Sequence, residues 1–309
     1  MAERIAYDNT ARNKYMKGMI ITPLAIKIGS HINKAILLEV VCTPKPGLVD
    51  RNNAGAHNDM DIQTYMISAA AISGYMAVAA QVAMDHRGEL SDLLPKIRSI
   101  GVSAEEEMFL ATNNVNTHKG LIFSGMLISA AAGYVAARET GDLKVLRILQ
   151  TVQQMTNGIV QRELMLMDKK QEKITAGEWI FLDLGITGIR GEAENGFPNA
   201  DAAYQVIKKA VDEDIPIEMG MVMALLFLMT RVDDTNVLAR HGSETLTFVR
   251  NEANKLMLSE DVYTDEWLER VYELDAVFIE QNISPGGCAD LLAVALMLYF
   301  LTLPEKRAY

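Results

Sequence analysis

The chain has 309 residues and a mass of 34.1 kDa, with 29 Lys and Arg against 40 Asp and Glu, for a net charge of −11. Half of it is apolar, enough for a large buried core, and 22% charge with eight prolines excludes a disordered chain. The acidic balance excludes a duplex nucleic-acid binder, which needs a basic face. Cys42 and Cys288 form neither a disulfide framework nor a CxxC zinc signature. The first residues lack the apolar core of a signal peptide, so the cytoplasm is the expected location.

In chain order, apolar spacing near 3.6 residues predicts helices over Ile21–Val41, Ile62–Met84, Leu90–Thr112, Gly120–Arg138 and Leu143–Asn157. It continues over Ala200–Glu213, Ile217–Thr230, Ser243–Leu258, Asp265–Gln281 and Cys288–Leu303, while Glu178–Asp183 is ambiguous. Ala and Met favour helix, and no NG or DG hairpin turn joins alternating β-branched runs. The fold class is therefore all-α: one large multi-helix domain over 21–309, preceded by a loosely attached arm over 1–20. Ile62–Met84 and Gly120–Ala137 carry no charge and could span a bilayer by length. Their Ala, Gly and Ser content, and a mean hydropathy of only +0.08, assign them to the buried centre of a helical domain instead. A homodimer is compatible with so apolar a helical chain.

The unusual residues sit in five loops. Thr43–Asp61 holds Lys45, Arg51, His57, Asp59 and Asp61. A helix cap accounts for one of its aspartates but not for the whole set. Asn113–Gly120 offers Asn116 or Thr117 as a cap and puts His118 and Lys119 at a helix start. A lysine there opposes the dipole unless an anion joins it. Gly185–Pro198 carries Arg190 and Glu192 among four glycines and reads as an irregular loop. Arg231–Gly242 pairs Asp233 and Asp234 with Asn236, hard oxygen ligands suited to Mg²⁺, followed by Arg240 and His241. In Asn282–Asp290, Ser284 fits an N-cap and Pro285 the first helical position. There Gly286 and Gly287 leave backbone amides open to a phosphate, with Asp290 one turn on. An acidic protein that concentrates cations in such loops is built for a polyanionic small molecule, with a divalent cation bridging to its phosphates.

TPKPGLVDRNNAGAHNDMD, NTHKG, GIRGEAENGFP, DDTN with ARHG, and SPGGCADLLA occur in that order. Over about His31 to Leu303 the chain resembles the triphosphoribosyl-dephospho-CoA synthase family. It departs in small ways: Cys288 stands where a small residue such as serine is expected, and His241 where glycine is. The resemblance implies an all-helical enzyme that joins the ribose C1′ of ATP to the 2′-hydroxyl of 3′-dephospho-CoA and releases adenine. The product would be the precursor of the acyl carrier protein prosthetic group of citrate lyase or malonate decarboxylase.

On that chemistry His57 or Asp59 is the expected base, with Asp61 and Glu192 as further catalytic candidates. Asp233, Asp234 and Asn236 are the expected Mg²⁺ ligands. Lys45, Arg51, Asn116, His118, Lys119, Arg190, Arg240, Ser284, Gly286, Gly287 and Asp290 are expected to bind substrate. Departure of adenine builds positive charge on the ribose, as in glycoside cleavage, so a carboxylate near C1′ is also expected. A nucleotide N-ribosyl hydrolase and a non-enzymatic nucleotide-binding scaffold are the alternatives.

Overall fold

A computed structural model describes residues 18–166 and 174–304. The expected arm falls largely outside them, except that Met19 packs on the core while Ile20 is exposed. Thirteen α-helices follow, with no strand among the described residues. They are α1 Pro23–Val41, α2 Ile62–Asp85, α3 Leu93–Ala111, α4 Lys119–Ala136, α5 Val145–Thr156, α6 Ala176–Leu184 and α7 Gly188–Glu194. Then come α8 Pro198–Asp212, α9 Ile217–Arg231, α10 Thr235–His241, α11 Ser243–Met257, α12 Asp265–Glu280 and α13 Gly286–Thr302.

The uncharged helices form the interior. α2 packs against α1, α3 and α4, and α13 packs against α1, α4, α8 and α9. Small residues set these spacings. A Cβ on Gly133 of α4 would stand 2.3 Å from the Ala80 carbonyl oxygen, and one on Gly29 of α1 would stand 2.7 Å from the Ala77 nitrogen. Two buried polar groups of α2 and α4 find partners inside the fold. Ser129 donates to the Met76 carbonyl at 2.6 Å, and Gln81 accepts from the Thr22 backbone and hydroxyl at 2.9 and 2.8 Å. Each large side chain buried here contributes about 1.5–3 kcal/mol. α2 and α4 are long and apolar enough to cross a membrane, but most of each apolar stretch is buried inside the fold.

Local signals explain most helix ends. Thr22 caps α1, Asp61 closes a capping box with Thr64 on α2, and Thr175 does so with Glu178 on α6. The ambiguous Glu178–Asp183 is thus helix, and it ends on Gly185 in a left-handed conformation. Two expected loops are corrected. Gly185–Pro198 contains α7, whose Arg, Glu and Ala residues favour helix even though Gly188 starts it and Gly191 lies buried inside it. Arg231–Gly242 contains α10, started by Asp234, which accepts from the Asn236 and Val237 amides. A third correction concerns α13. Pro285 occupies the cap position and Ser284 does not cap, its hydroxyl being engaged by His57.

Candidate active site

The loops before α2, α4, α10 and α13 meet α6 and α7 around a cavity of about 930 Å³. That is near the top of the range of about 300–1,000 Å³ for small-molecule pockets, room for more than one substrate. Lys45, His57, Asn116, His118, Lys119, Arg190, Glu192 and Asp233 line it. So do Asp234, Asn236, Arg240, Ser284, Gly286, Gly287 and Asp290. Arg51, Asp59 and Asp61 do not. Arg51 turns outward, its Nε 3.4 Å from Thr43 Oγ1. Asp61 is spent as the cap of α2. Asp59 is exposed, and its carboxylate reaches only to 3.9 Å from His57 Nδ1.

The first loop is folded by Asp50, which accepts from the Lys45, Asn52 and Asn53 amides. It thereby turns Lys45 inward, where its buried ammonium lies 2.5 Å from Glu39 Oε1. Two charges leave water together here, a placement tolerable only because each neutralises the other. His57 Nε2 lies 2.9 Å from Ser284 Oγ. Burial first, and the nearby Arg240 charge second, hold its imidazole below the usual histidine range, against the opposing pull of Asp59.

At the start of α4, Asn116 accepts from the Lys119 amide. The anion that a lysine at this end requires comes from α3, with Glu105 2.5 Å from Lys119 Nζ. His118 is 2% exposed. Thr117 Oγ1 lies 2.7 Å from Ser68 Oγ, which lies 2.6 Å from His118 Nδ1. Nε2 has no partner among the described residues. Burial, with Lys45 adding to it, lowers this imidazole to about 3, so it is neutral at ordinary pH.

On the facing wall, Arg190 pairs with Glu163 at 3.0 Å and Glu178 at 3.4 Å, and Arg98 shares Glu163 at 2.5 Å. Glu192 accepts from the backbone and side-chain amides of Asn199. Burial raises its carboxyl above the usual range despite those bonds.

The aspartates of the expected Mg²⁺ set already have partners in the fold. Asp233 lies 2.7 Å from an Arg250 nitrogen. Asp234 Oδ1 accepts from the Asn236 and Val237 amides, and its Oδ2 from the Cys288 amide at 2.9 Å. No group of three or more His, Cys, Asp or Glu placed to hold a metal occurs among the described residues. Asp234 is instead a clamp joining the starts of α10 and α13. This also gives Gly286 and Gly287 a packing role. A Cβ at Gly286 would stand 2.8 Å from Asn236 Nδ2, and one at Gly287 3.0 Å from Asp234 Oδ2.

Asp290 comes from the first turns of α13. Its Oδ2 lies 2.1 Å from where a Cβ on Gly120 would stand, so glycine opens this corner for the carboxyl. Burial first, then Glu39 and Asp234, push it well above the usual carboxylate range.

Sequence reasoning missed Glu39, Tyr65, Arg98, Glu105, Glu163 and Arg231, which also line the cavity. Glu39 had a signal, since it lies beside Val40 on the stripe Ile28, Ile32, Ile36 that α1 buries. Glu105 had none: within Glu105–Glu107 it reads as a solvated face.

The family described as ATP:dephospho-CoA triphosphoribosyl transferase matches residues 25–308. A probable 2-(5''-triphosphoribosyl)-3'-dephosphocoenzyme-A synthase of Malonomonas rubra is 36% identical, over 91% of this chain and 90% of its own. One of Albidiferax ferrireducens is 41% identical over 88% of this chain and 89% of its own. The 2-(5''-triphosphoribosyl)-3'-dephosphocoenzyme-A synthase of Klebsiella pneumoniae is 37% identical over 90% and 92%. No solved structure matches the chain.

Proposed function

The chain belongs to the ATP:dephospho-CoA triphosphoribosyl transferase family, and from that membership we propose how its cavity carries the reaction. The enzyme transfers the triphosphoribosyl group of ATP to 3′-dephospho-CoA. On our reading both polyanions enter the same cavity, C1′ meets the acceptor 2′-hydroxyl, and adenine departs. The observation that carries this is the gathering of Lys45, Lys119, Arg190 and Arg240 around one space of about 930 Å³.

Those cations are not equivalent. Lys45, Lys119 and Arg190 already face glutamates, so they orient substrates in a nearly neutral wall. Arg240 makes no ion pair with a described residue and is our choice for the first contact with the triphosphate. His57, kept neutral by burial and by Arg240, is the base we propose for the acceptor hydroxyl. Because Asp233 and Asp234 are engaged elsewhere, we place no Mg²⁺ on them. The ion would arrive with the triphosphate and neutralise part of its charge. We place the reaction in the cytoplasm and its product on the route to the acyl carrier protein of citrate lyase or malonate decarboxylase.

The test is adenine release by purified protein with ATP and Mg²⁺, with and without 3′-dephospho-CoA. Release only with acceptor, matched by a triphosphoribosyl adduct in the mass spectrum, is the expected result. Equal release without acceptor would make the protein an N-ribosyl hydrolase. Calorimetric titration with MgCl₂ alone should show no saturable site. A micromolar site abolished by Asp233→Ala would restore the carboxylate ligand set.

A further inference from the structure

Among the carboxylates that line the cavity, Asp290 stands apart. Glu39 faces Lys45, Glu105 faces Lys119, Glu163 faces two arginines, Glu192 faces Asn199 and Asp234 holds backbone amides. Asp290 has no hydrogen bond or ion pair with any described residue, and it is neither a helix cap nor a loop anchor. Yet the fold makes room for it at a position where a side chain on Gly120 would collide with its oxygen. A carboxyl that lines the cavity, half-buried and unpaired by any described residue, is left for the substrates.

We propose that Asp290 is the general acid that protonates adenine as it leaves C1′. This inference rests on the transferase reading above. In the step, the C1′–N9 bond of ATP breaks and its electron pair goes to adenine. The Asp290 carboxyl gives its proton to a ring nitrogen of the departing base. The acceptor oxygen forms the new C1′–O bond, and its proton passes to the base, His57 on our reading. Asp290 regains a proton from water once the products have gone.

The surroundings suit an acid. Facing Asp290 are Glu39 from α1, with Lys45 paired to it, and Tyr65 from α2. Asp234 faces it from the segment before α10, Cys288 from its own helix, and Gly120 is the near residue of α4. The negative charges nearest it, together with burial, favour the protonated form. Once Asp290 has given up its proton, its carboxylate sits beside a ribose that has become positive, which favours the transfer.

The experiment is the pH dependence of kcat for the wild type and for Asp290→Asn, with ATP and 3′-dephospho-CoA saturating. Between the titration of His57 and that of Asp290 the base is neutral, Asp290 carries the proton and the enzyme is active. Above it, wild-type kcat should fall by about tenfold per pH unit. Asp290→Asn should lower kcat by about 10²-fold to 10⁴-fold, leave the Kd for ATP within about threefold, and remove the alkaline fall from the residual rate. A variant within threefold of wild-type kcat, or a slow variant that keeps the alkaline fall, would overturn the proposal. So would a wild type with no alkaline fall, a result that needs no variant to fold. Should Asp290→Asn not fold, Asp290→Glu decides: a displaced alkaline fall supports the assignment, and an unmoved one refutes it. If the wild type releases no adenine with the acceptor present, the transferase reading itself fails, which is a separate result.

Discussion

The loops Thr43–Asp61 and Asn282–Asp290 line the same cavity and use their residues in opposite ways. The first is crowded with charge, yet most of that charge maintains the loop. Asp50 folds it, Asp61 starts α2, and Arg51 faces solvent beside Thr43. Only Lys45 and His57 among the expected residues of that loop reach the cavity. The second loop brings one carboxyl, Asp290, and leaves it unpaired by any described residue. Reactivity here follows from which groups the fold leaves without partners, since density of ionisable residues says little once those residues satisfy one another.

The two loops are also locked together. Gly47 has a φ of +72°, and a Cβ there would stand 2.0 Å from the Ile283 carbonyl oxygen. Gly47→Ala should therefore be the most damaging change. It adds a left-handed strain of about 1–3 kcal/mol to a collision with backbone that has no flexible end to yield. The expected outcome is a denaturant midpoint lowered by the equivalent of about 3 kcal/mol or more, with activity lost as Ser284 leaves His57. Wild-type stability and kcat in this variant would show that the loops move independently and break the comparison.

A smaller effect should follow from Asp275 on α12, which holds the first loop from behind. It accepts from the Gly47 amide at 2.8 Å and from Asn53 Nδ2 at 2.8 Å. Asp275→Asn keeps the shape but turns a donor toward a donor, at a cost of about 1–3 kcal/mol. Asp275 does not line the cavity, so kcat of the folded variant should stay within about threefold of wild type. A kcat loss as large as that of Asp290→Asn would mean that Asp275, by holding the first loop, also sets the position of His57.

Much of this arrangement was legible in the residues. The helical periodicity, the uncharged central helices and three of the five loops reappear, because apolar spacing and glycine-rich breaks are local signals, while the other two loops contain α7 and α10. Lys45, His118 and Asp290 were named from loop context and do line the cavity. What could not be read was pairing. That Asp234 would clamp two helix starts, and that Glu105 would answer Lys119, depends on residues distant in sequence. The glycines of Gly185–Pro198 misled for a related reason, since along the chain they read as an irregular loop whereas Gly191 lies inside α7. Gly286 and Gly287, read as phosphate access, line the cavity and also admit Asn236 and Asp234.

The smallest expected effects are the sharpest check, because they concern residues that sequence context alone would put in the site. Asp61→Ala should cost about 1 kcal/mol, the worth of a helix cap, and leave kcat unchanged. Arg51→Ala should cost less still, within about 0.5 kcal/mol, and leave KM for ATP within about twofold. Its guanidinium lies at the surface, hydrogen-bonded to Thr43, and makes no ion pair with a described residue. A tenfold rise in KM for ATP in Arg51→Ala would mean that the first loop turns over on binding and carries this cation to the phosphates. The division between a loop that spends its charges on itself and one that keeps a carboxyl free would then hold only before substrate arrives.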